Sequence, residues 1–188
     1  PQHFEAACQR IASTNDLGYA YVRTGRNLPS ILRGELNPLE FLFTGDMMAR
    51  WYSEVNNRAG CFNRWALYLR TLARKNPAMR ILEIGAGTGG STGHILNALS
   101  VDDDDNNPLY LSYDYTDISS AFFERAAERY TRFPRLNFRT LDITNDPEMQ
   151  GFQLEAYDLV VAANVLHATP DIQATMHHVR KLLRPDGK

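Results

Sequence analysis

The stretch ILEIGAGTGGST, running from Ile81 to Thr92, decides the fold. An apolar run stops at a cluster of glycines and resumes as a helix. That is the sequence form of a strand, a tight turn and a helix start meeting a nucleotide-like ligand. Gly85, Gly87 and Gly90 satisfy GxGxxG, while Gly85, Gly87 and Gly89 equally satisfy GxGxG. The glycines alone therefore do not separate a dinucleotide from a ligand that carries no phosphate.

From this point outward, strand and helix patterns alternate. Residues 81–84 form a short strand, and residues 91–99 a helix with Ile95, Leu96 and Leu99 on one face. Residues 109–116 read as a second strand. A helix that Ser119 can cap follows, with Phe122, Phe123, Ala126, Ala127 and Tyr130 at helical spacing. Residues 136–141 make a third strand. Residues 157–163 make a fourth, nearly all apolar, as a strand covered on both faces should be. A last helix spans residues 171–183, with Ile172, Met176, Val179 and Leu183 on its apolar stripe, and Pro185 and Gly187 end it. The alternation predicts an α/β fold, a Rossmann-like, doubly wound parallel sheet. The segment before it differs: helical stretches such as the one carrying Phe62, Trp65, Leu69 and Ala73 are broken by Gly34, Pro38, Gly45 and Gly60. This predicts a helical cap over residues 1–76 and a ligand-binding core over residues 77–188, with Asn76-Pro77 at the boundary. The acidic run DDDDNN from Asp102 to Asn107 reads as a solvated loop. A calcium site would need ligands spaced around a turn with a glycine, so no metal is expected there.

The chain has 188 residues, 44% of them hydrophobic and 22% charged, which suits one ordinary domain with a sizeable core. A net charge of -2 gives no electrostatic reason to expect nucleic acid or an anionic membrane. Cys8 and Cys61 form no CxxC pair and are expected as thiols in a reducing, cytoplasmic setting. No apolar run approaches the roughly 20 residues that span a bilayer, and the first residues do not resemble a signal peptide. The absent initiator Met and the abrupt end at Lys188 suggest an excerpt from a longer chain.

The acidic residues choose between the ligands. Glu83 lies two residues before the first glycine, where a carboxylate is expected to reach the ligand cleft. There it would repel a pyrophosphate but suit a ligand with an ammonium and a sulfonium. Asp117 ends the second strand, where an acid accepts hydrogen bonds from ribose hydroxyls. It follows Glu83 by 34 residues rather than the usual interval of about 20, and the acidic loop accounts for the excess. Asp142, with Ile143 beside it, closes the third strand and can accept from an adenine amino group. For each acid the plainer alternative is a solvated loop residue or a helix cap. Together, with no Lys or Arg in the glycine turn, they point to S-adenosylmethionine rather than NAD. The expected contacts are Glu83, Gly85, Ala86, Gly87, Gly89, Asp117, Asp142, Ile143 and Asn164. In a sheet ordered 3-2-1-4, ligands sit in the crevice between the first and fourth strands. Asn164 to His167 would form the wall facing the glycine turn. If the methyl acceptor is a carbon between two carbonyls, a base must remove its proton, and the imidazole of His167 suits that role. A packing or capping histidine is the alternative. His94, His177 and His178 are expected to be structural.

Several of these segments resemble a family. ILEIGAGTGGST, DYTDIS (Asp114 to Ser119), YDLVVAANVLHATPD (Tyr157 to Asp171), KLLRPDGK and ILRGELNPLEFLFTGD (Ile31 to Asp46) are similar to the C-methyltransferase domain of fungal highly reducing polyketide synthases. The likeness covers nearly the whole chain. It implies a class I methyltransferase fold and methylation of the α-carbon of a β-ketoacyl thioester held on an acyl carrier protein. Other domains of the same megasynthase would be further partners. His167 matches the catalytic histidine of that family, and Tyr52 its cap tyrosine, for which aromatic packing with Trp51 is the alternative. The resemblance also implies further strands after Lys188, among them the segment carrying the glutamate that partners the histidine, and hence a bare outer edge on the fourth strand. Rival functions are an O- or N-methyltransferase acting on a small molecule or peptidyl carrier, and a non-catalytic scaffold module.

Overall fold

A computed structural model describes residues 2–59, 61–101 and 104–188. The chain divides into two compact units, Pro1–Phe62 and Asn63–Lys188. No helix among the described residues is long and apolar enough to cross a membrane.

The first unit is helical: α1 (Gln2–Ala12), α2 (Asp16–Leu32), α3 (Pro38–Phe43) and α4 (Met47–Ala59). Capping chemistry explains the starts. Asn15 accepts from Gly18 N to open α2, and Asn37 accepts from Leu39 N and Glu40 N to open α3, with Pro38 at its first position. Gly34 and Gly45 lie between helices with positive φ, the punctuation that the sequence suggests. Gly60 lies outside the described residues. Gly18 allows α2 to approach α1, because a Cβ there would stand 2.0 Å from Ile11 O. The core of this unit is small, with Ala20, Phe41 and Met47 buried and Ile31, Leu36, Leu42 and Trp51 packed around them.

Helix α5 (Cys61–Lys75) begins two residues before the division, and all of it from Asn63 onward lies in the second unit. The cap expected over residues 1–76 included this helix, yet its Leu69 and Ala73 are buried in one cluster with Ile81, Tyr113 and Leu159 of the sheet unit. By its packing α5 belongs with the sheet, since amphipathic spacing tells which face is buried but not against what. Next come β1 (Arg80–Glu83), α6 (Thr92–Ala98), β2 (Ser100–Val101), β3 (Asp104–Pro108) and β4 (Ser112–Asp117). After a 3-10 turn at Ser120–Phe122 come α7 (Phe123–Arg129), β5 (Leu136–Thr140) and β6 (Leu159–Val161). A second 3-10 turn, Leu166–Ala168, leads to α8 (Ile172–Leu182). The main sheet has the order β5-β4-β1-β6. All its pairs are parallel, with Ile81 opposite Tyr113 on one side and Leu159 on the other. This is the expected 3-2-1-4 order, and the order reverses at β1.

Alternation along β1 sorts the core. Ile81 faces the larger cluster, with Ile95, Leu96, Leu99, Tyr113 and Tyr115. Leu82 and Ile84 face the other side, with Leu141, Phe152, Tyr157, Val179 and Leu182. Helices thus cover both faces, as a parallel sheet requires.

Three local expectations are corrected. Part of the acidic segment is strand: β3 pairs antiparallel with β2, while Asp102 and Asp103 lie outside the described residues. The apolar stripe of α8 is shifted, so that Thr175, Val179 and Leu182 are buried whereas Ile172 and Met176 are each 49% exposed. The outer edge of β6 is not bare. Lys188 N donates to Asp158 O, Val160 N donates to Lys188 O, and Leu183 bridges Tyr157 in parallel.

Candidate active site: a cleft at the carboxyl ends of the strands

A cleft of about 280 Å³ opens in the second unit at the carboxyl ends of β1, β4, β5 and β6. Its lining comes from the segment after each strand: Ile84 and Gly85; Asp117 and Ile118; Leu141 to Thr144; and Asn164, Val165, Ala168 and Thr169. The volume is near the lower end for small-molecule sites, and the position at the order reversal is the usual one for an open α/β sheet.

The glycine turn is shaped by its neighbours. Gly85, Gly87 and Gly89 all have positive φ, whereas Gly90 does not. The operative pattern is therefore GxGxG. At Gly85 (φ +64) a Cβ would stand 2.3 Å from Val165 Cγ2, and at Gly89 (φ +77) 2.6 Å from the Tyr130 hydroxyl. Absent side chains thus let the loop after β6 and the end of α7 close on the turn. Tyr130 donates to Gly89 O and Tyr115 to Gly87 O. Ala86, expected as a contact, is instead buried in the larger core, with its N–H bonded to Thr116 O. Gly87 and Gly89 also lie outside the lining of the cleft.

Asp117 sits where the second strand ends, 7% exposed. Its Oδ2 accepts from Gly87 N (2.9 Å) and its Oδ1 from Ser119 N (3.0 Å). Each carboxylate oxygen has two lone pairs, so capacity for a ligand hydroxyl remains. Asp142 is held by its own loop: Thr144 N and Oγ1 donate to Oδ1, and Asn145 Nδ2 to Oδ2. The Thr144 hydroxyl above all holds this carboxyl below its ordinary value. Gln150 straps the loop further, bonding both the N–H and the C=O of Asp142. Ile143 lines the cleft, and so does Asn164, whose φ of +58 is a left-handed conformation that asparagine tolerates.

Glu83 is placed differently from expectation. It is 2% exposed and does not line the cleft. The two-residue alternation of β1 directs it to the α6 side, where its Oε2 accepts from Thr92 Oγ1 (2.7 Å) and Tyr113 Oη (2.6 Å). Burial pushes its carboxyl up to about 7, opposed by the two hydroxyls. His167 is exposed in the turn Leu166–Ala168, between the lining residues Val165 and Ala168 but not itself part of the lining. Tyr52 belongs to the first unit, where it is half-buried and its ring stands edge-on to Trp51 at 5.1 Å. His178 hydrogen-bonds Ile143 O through Nδ1.

Sequence reasoning missed Ile84, Ile118, Leu141, Thr144, Ala168 and Thr169 as lining residues. The available signal was their place directly after the strand ends. Among the described residues, no Lys or Arg lines the cleft. Arg129 reaches the turn from α7, donating to Thr88 O, but lies outside the lining.

A methyltransferase domain family model matches residues 82–188, more than half of the chain and the whole of the cleft. The chain belongs to that family. Over 98% of its length this methyltransferase domain is 43% identical to a highly reducing polyketide synthase, valA, of Aspergillus terreus, but it spans only 8% of that relative. Among solved structures, the trans-methyltransferase CalH in complex with SAH superimposes with a TM-score of 0.82 at 34% identity, covering 99% of the domain and 51% of CalH. The CurJ carbon methyltransferase superimposes with a TM-score of 0.78 at 32% identity, covering 97% and 50%.

Proposed function

We propose that the domain uses S-adenosylmethionine to methylate the α-carbon of a β-ketoacyl thioester carried on an acyl carrier protein, within a polyketide synthase. The observation that carries this reading is the set of ligating groups in the cleft: two carboxylates, Asp117 and Asp142, on largely apolar walls with no cationic side chain among the described residues. Such a lining fits a cationic adenosyl ligand and repels a pyrophosphate. The names of CalH and of the CurJ carbon methyltransferase support the same cofactor class and acceptor atom.

Asp117 would accept from the ribose hydroxyls and Asp142 from the adenine amino group, with Ile118, Leu141 and Ile143 as apolar walls. Gly85 lets the backbone approach the ligand, and Glu83 acts at a distance by fixing Thr92 and Tyr113 behind the turn. The cofactor supplies a sulfonium-bound methyl group. His167 would remove the proton between the two carbonyls, so that the resulting carbanion is electron-rich enough to accept that methyl.

Calorimetric titration with S-adenosylhomocysteine, with NAD as control, tests the cofactor. Binding of the first and silence of the second are expected, and Asp117→Asn should weaken binding roughly 10- to 100-fold. Binding of NAD alone would sink the reading. With a β-ketoacyl thioester as acceptor, product fragmentation should place the methyl on carbon; a methyl on oxygen or nitrogen refutes the assignment of the acceptor. His167→Ala should lower transfer about 10²- to 10⁴-fold while leaving homocysteine-product binding intact.

A further inference from the structure

Helix α8 contributes no residue to the cleft, yet it bonds to both of its lips. Toward the lip after β6, Thr175 is 1% exposed and its Oγ1 meets the Oγ1 of Thr169, a lining residue, at 3.0 Å. Toward the lip after β5, His178 Nδ1 lies 2.9 Å from Ile143 O, and Lys181 Nζ lies 2.6 Å from Asp146 Oδ2. Ile143 stands between Asp142 and Thr144, all three of them lining residues. We propose that His178 is a positioning residue for the cofactor site: by hydrogen-bonding the Ile143 carbonyl it fixes the Asp142–Thr144 lip at its distance from the rest of the cleft. This rests on the cofactor reading given above.

The chemistry constrains the imidazole. A backbone carbonyl only accepts, so Nδ1 must carry a proton. In the neutral ring this is the Nδ1–H tautomer, which leaves Nε2 as an acceptor. The bond acts on the backbone at the middle of the lip. Without it, Asp142 would still be held by Thr144, Asn145 and Gln150, all from its own loop. That local strapping fixes the shape of the loop. On this lip α8 bonds the loop through His178 and through the Lys181–Asp146 pair, of which only the first reaches the residue between the lining side chains.

The test compares S-adenosylhomocysteine affinity of the 188-residue chain with that of His178→Ala and His178→Asn. The Asn amide nitrogen is as many bonds from the backbone as Nδ1 and can donate to the same carbonyl. His178→Ala should bind roughly ten-fold more weakly, and His178→Asn should return to within about two-fold of wild type. At pH 9, where free imidazole is neutral, ¹H–¹⁵N spectra of wild type should show His178 as the Nδ1–H tautomer. Equal binding by wild type and His178→Ala overturns the proposal while leaving the cofactor reading intact. Binding by His178→Asn as weak as that of His178→Ala, or an Nε2–H tautomer, does the same. If His178→Ala does not fold, His178→Asn binding within about two-fold of wild type together with the Nδ1–H tautomer supports the proposal. Roughly ten-fold weaker binding by His178→Asn, or an Nε2–H tautomer, overturns it. Wild type that ignores S-adenosylhomocysteine removes the cofactor reading and this proposal together.

Discussion

At Gly85, two physical terms act on one position. Positive φ disfavours any side chain, and the space a Cβ would need is filled by Val165. Gly85→Ala should therefore lower unfolding stability by roughly 2–4 kcal/mol in urea denaturation. Adding Val165→Ala should restore only part of that, because the φ term stays; full restoration would show that the clash alone matters. Glu83 makes a prediction of another kind. Its folded carboxyl is raised to about 7 from an ordinary 4.5, so the folded state holds the proton more tightly than the unfolded chain. Its stabilisation is complete below about 4.5 and is lost as pH rises through 7. Glu83→Gln, uncharged throughout, should gain on wild type by on the order of 2–3 kcal/mol between pH 5 and pH 8. A stability difference that does not change with pH would contradict the buried, raised carboxyl. The two acids of the cleft were legible in the sequence because a residue ending a strand has a place fixed by topology alone. Glu83 was misplaced because its surroundings depend on which face of β1 it occupies, and a buried strand, apolar on both faces, leaves that unmarked.

Among the elements, the strands and their order were readable from the alternation of apolar runs and helical spacing. Their packing partners were less so. The stripe of α8 was assigned one step away from the buried one, since Thr175 is a polar residue that the pattern discounts and Ile172 an apolar one that it favours. Thr175 is buried because its hydroxyl finds Thr169 and the carbonyl of Asp171, a pairing that no periodicity reveals. Asp158 shows how the elements are joined at the other end of the sheet. Its carboxylate accepts from Arg80 N (2.8 Å) at the start of β1, from Asn76 Nδ2 (3.2 Å) after α5 and from Arg184 (2.7 Å) after α8. Asp158→Ala would leave those donors in a half-buried setting without their acceptor. A loss of about 2–3 kcal/mol in urea denaturation is expected, with ligand affinity unchanged within two-fold. A change in affinity larger than the change in stability would mean that this end of the sheet communicates with the cleft.

At the scale of the whole chain, the two units differ in what holds them. The sheet unit has two apolar clusters that include Tyr110, Tyr113, Tyr115 and Tyr157, all nearly inaccessible, whereas the helical unit buries Ala20, Phe41 and Met47. Amide hydrogen exchange should therefore be at least roughly ten-fold faster across α2 and α4 than across β1 and β4. Comparable protection would show that the helical unit draws stability from more than its own core. The division itself was half legible: glycines and Pro38 marked the helical segment, but the side to which α5 belongs is decided by burial of Leu69 and Ala73. The fit of Val165 against Gly85 has a bearing on how such a chain diverges. A lineage that adds a methyl at position 85 must first shrink position 165, and shrinking 165 first leaves a hole beside the ligand. The two positions, distant in sequence and on opposite walls of the cleft, can thus drift only as a pair, and the route between their states passes through a weakened intermediate.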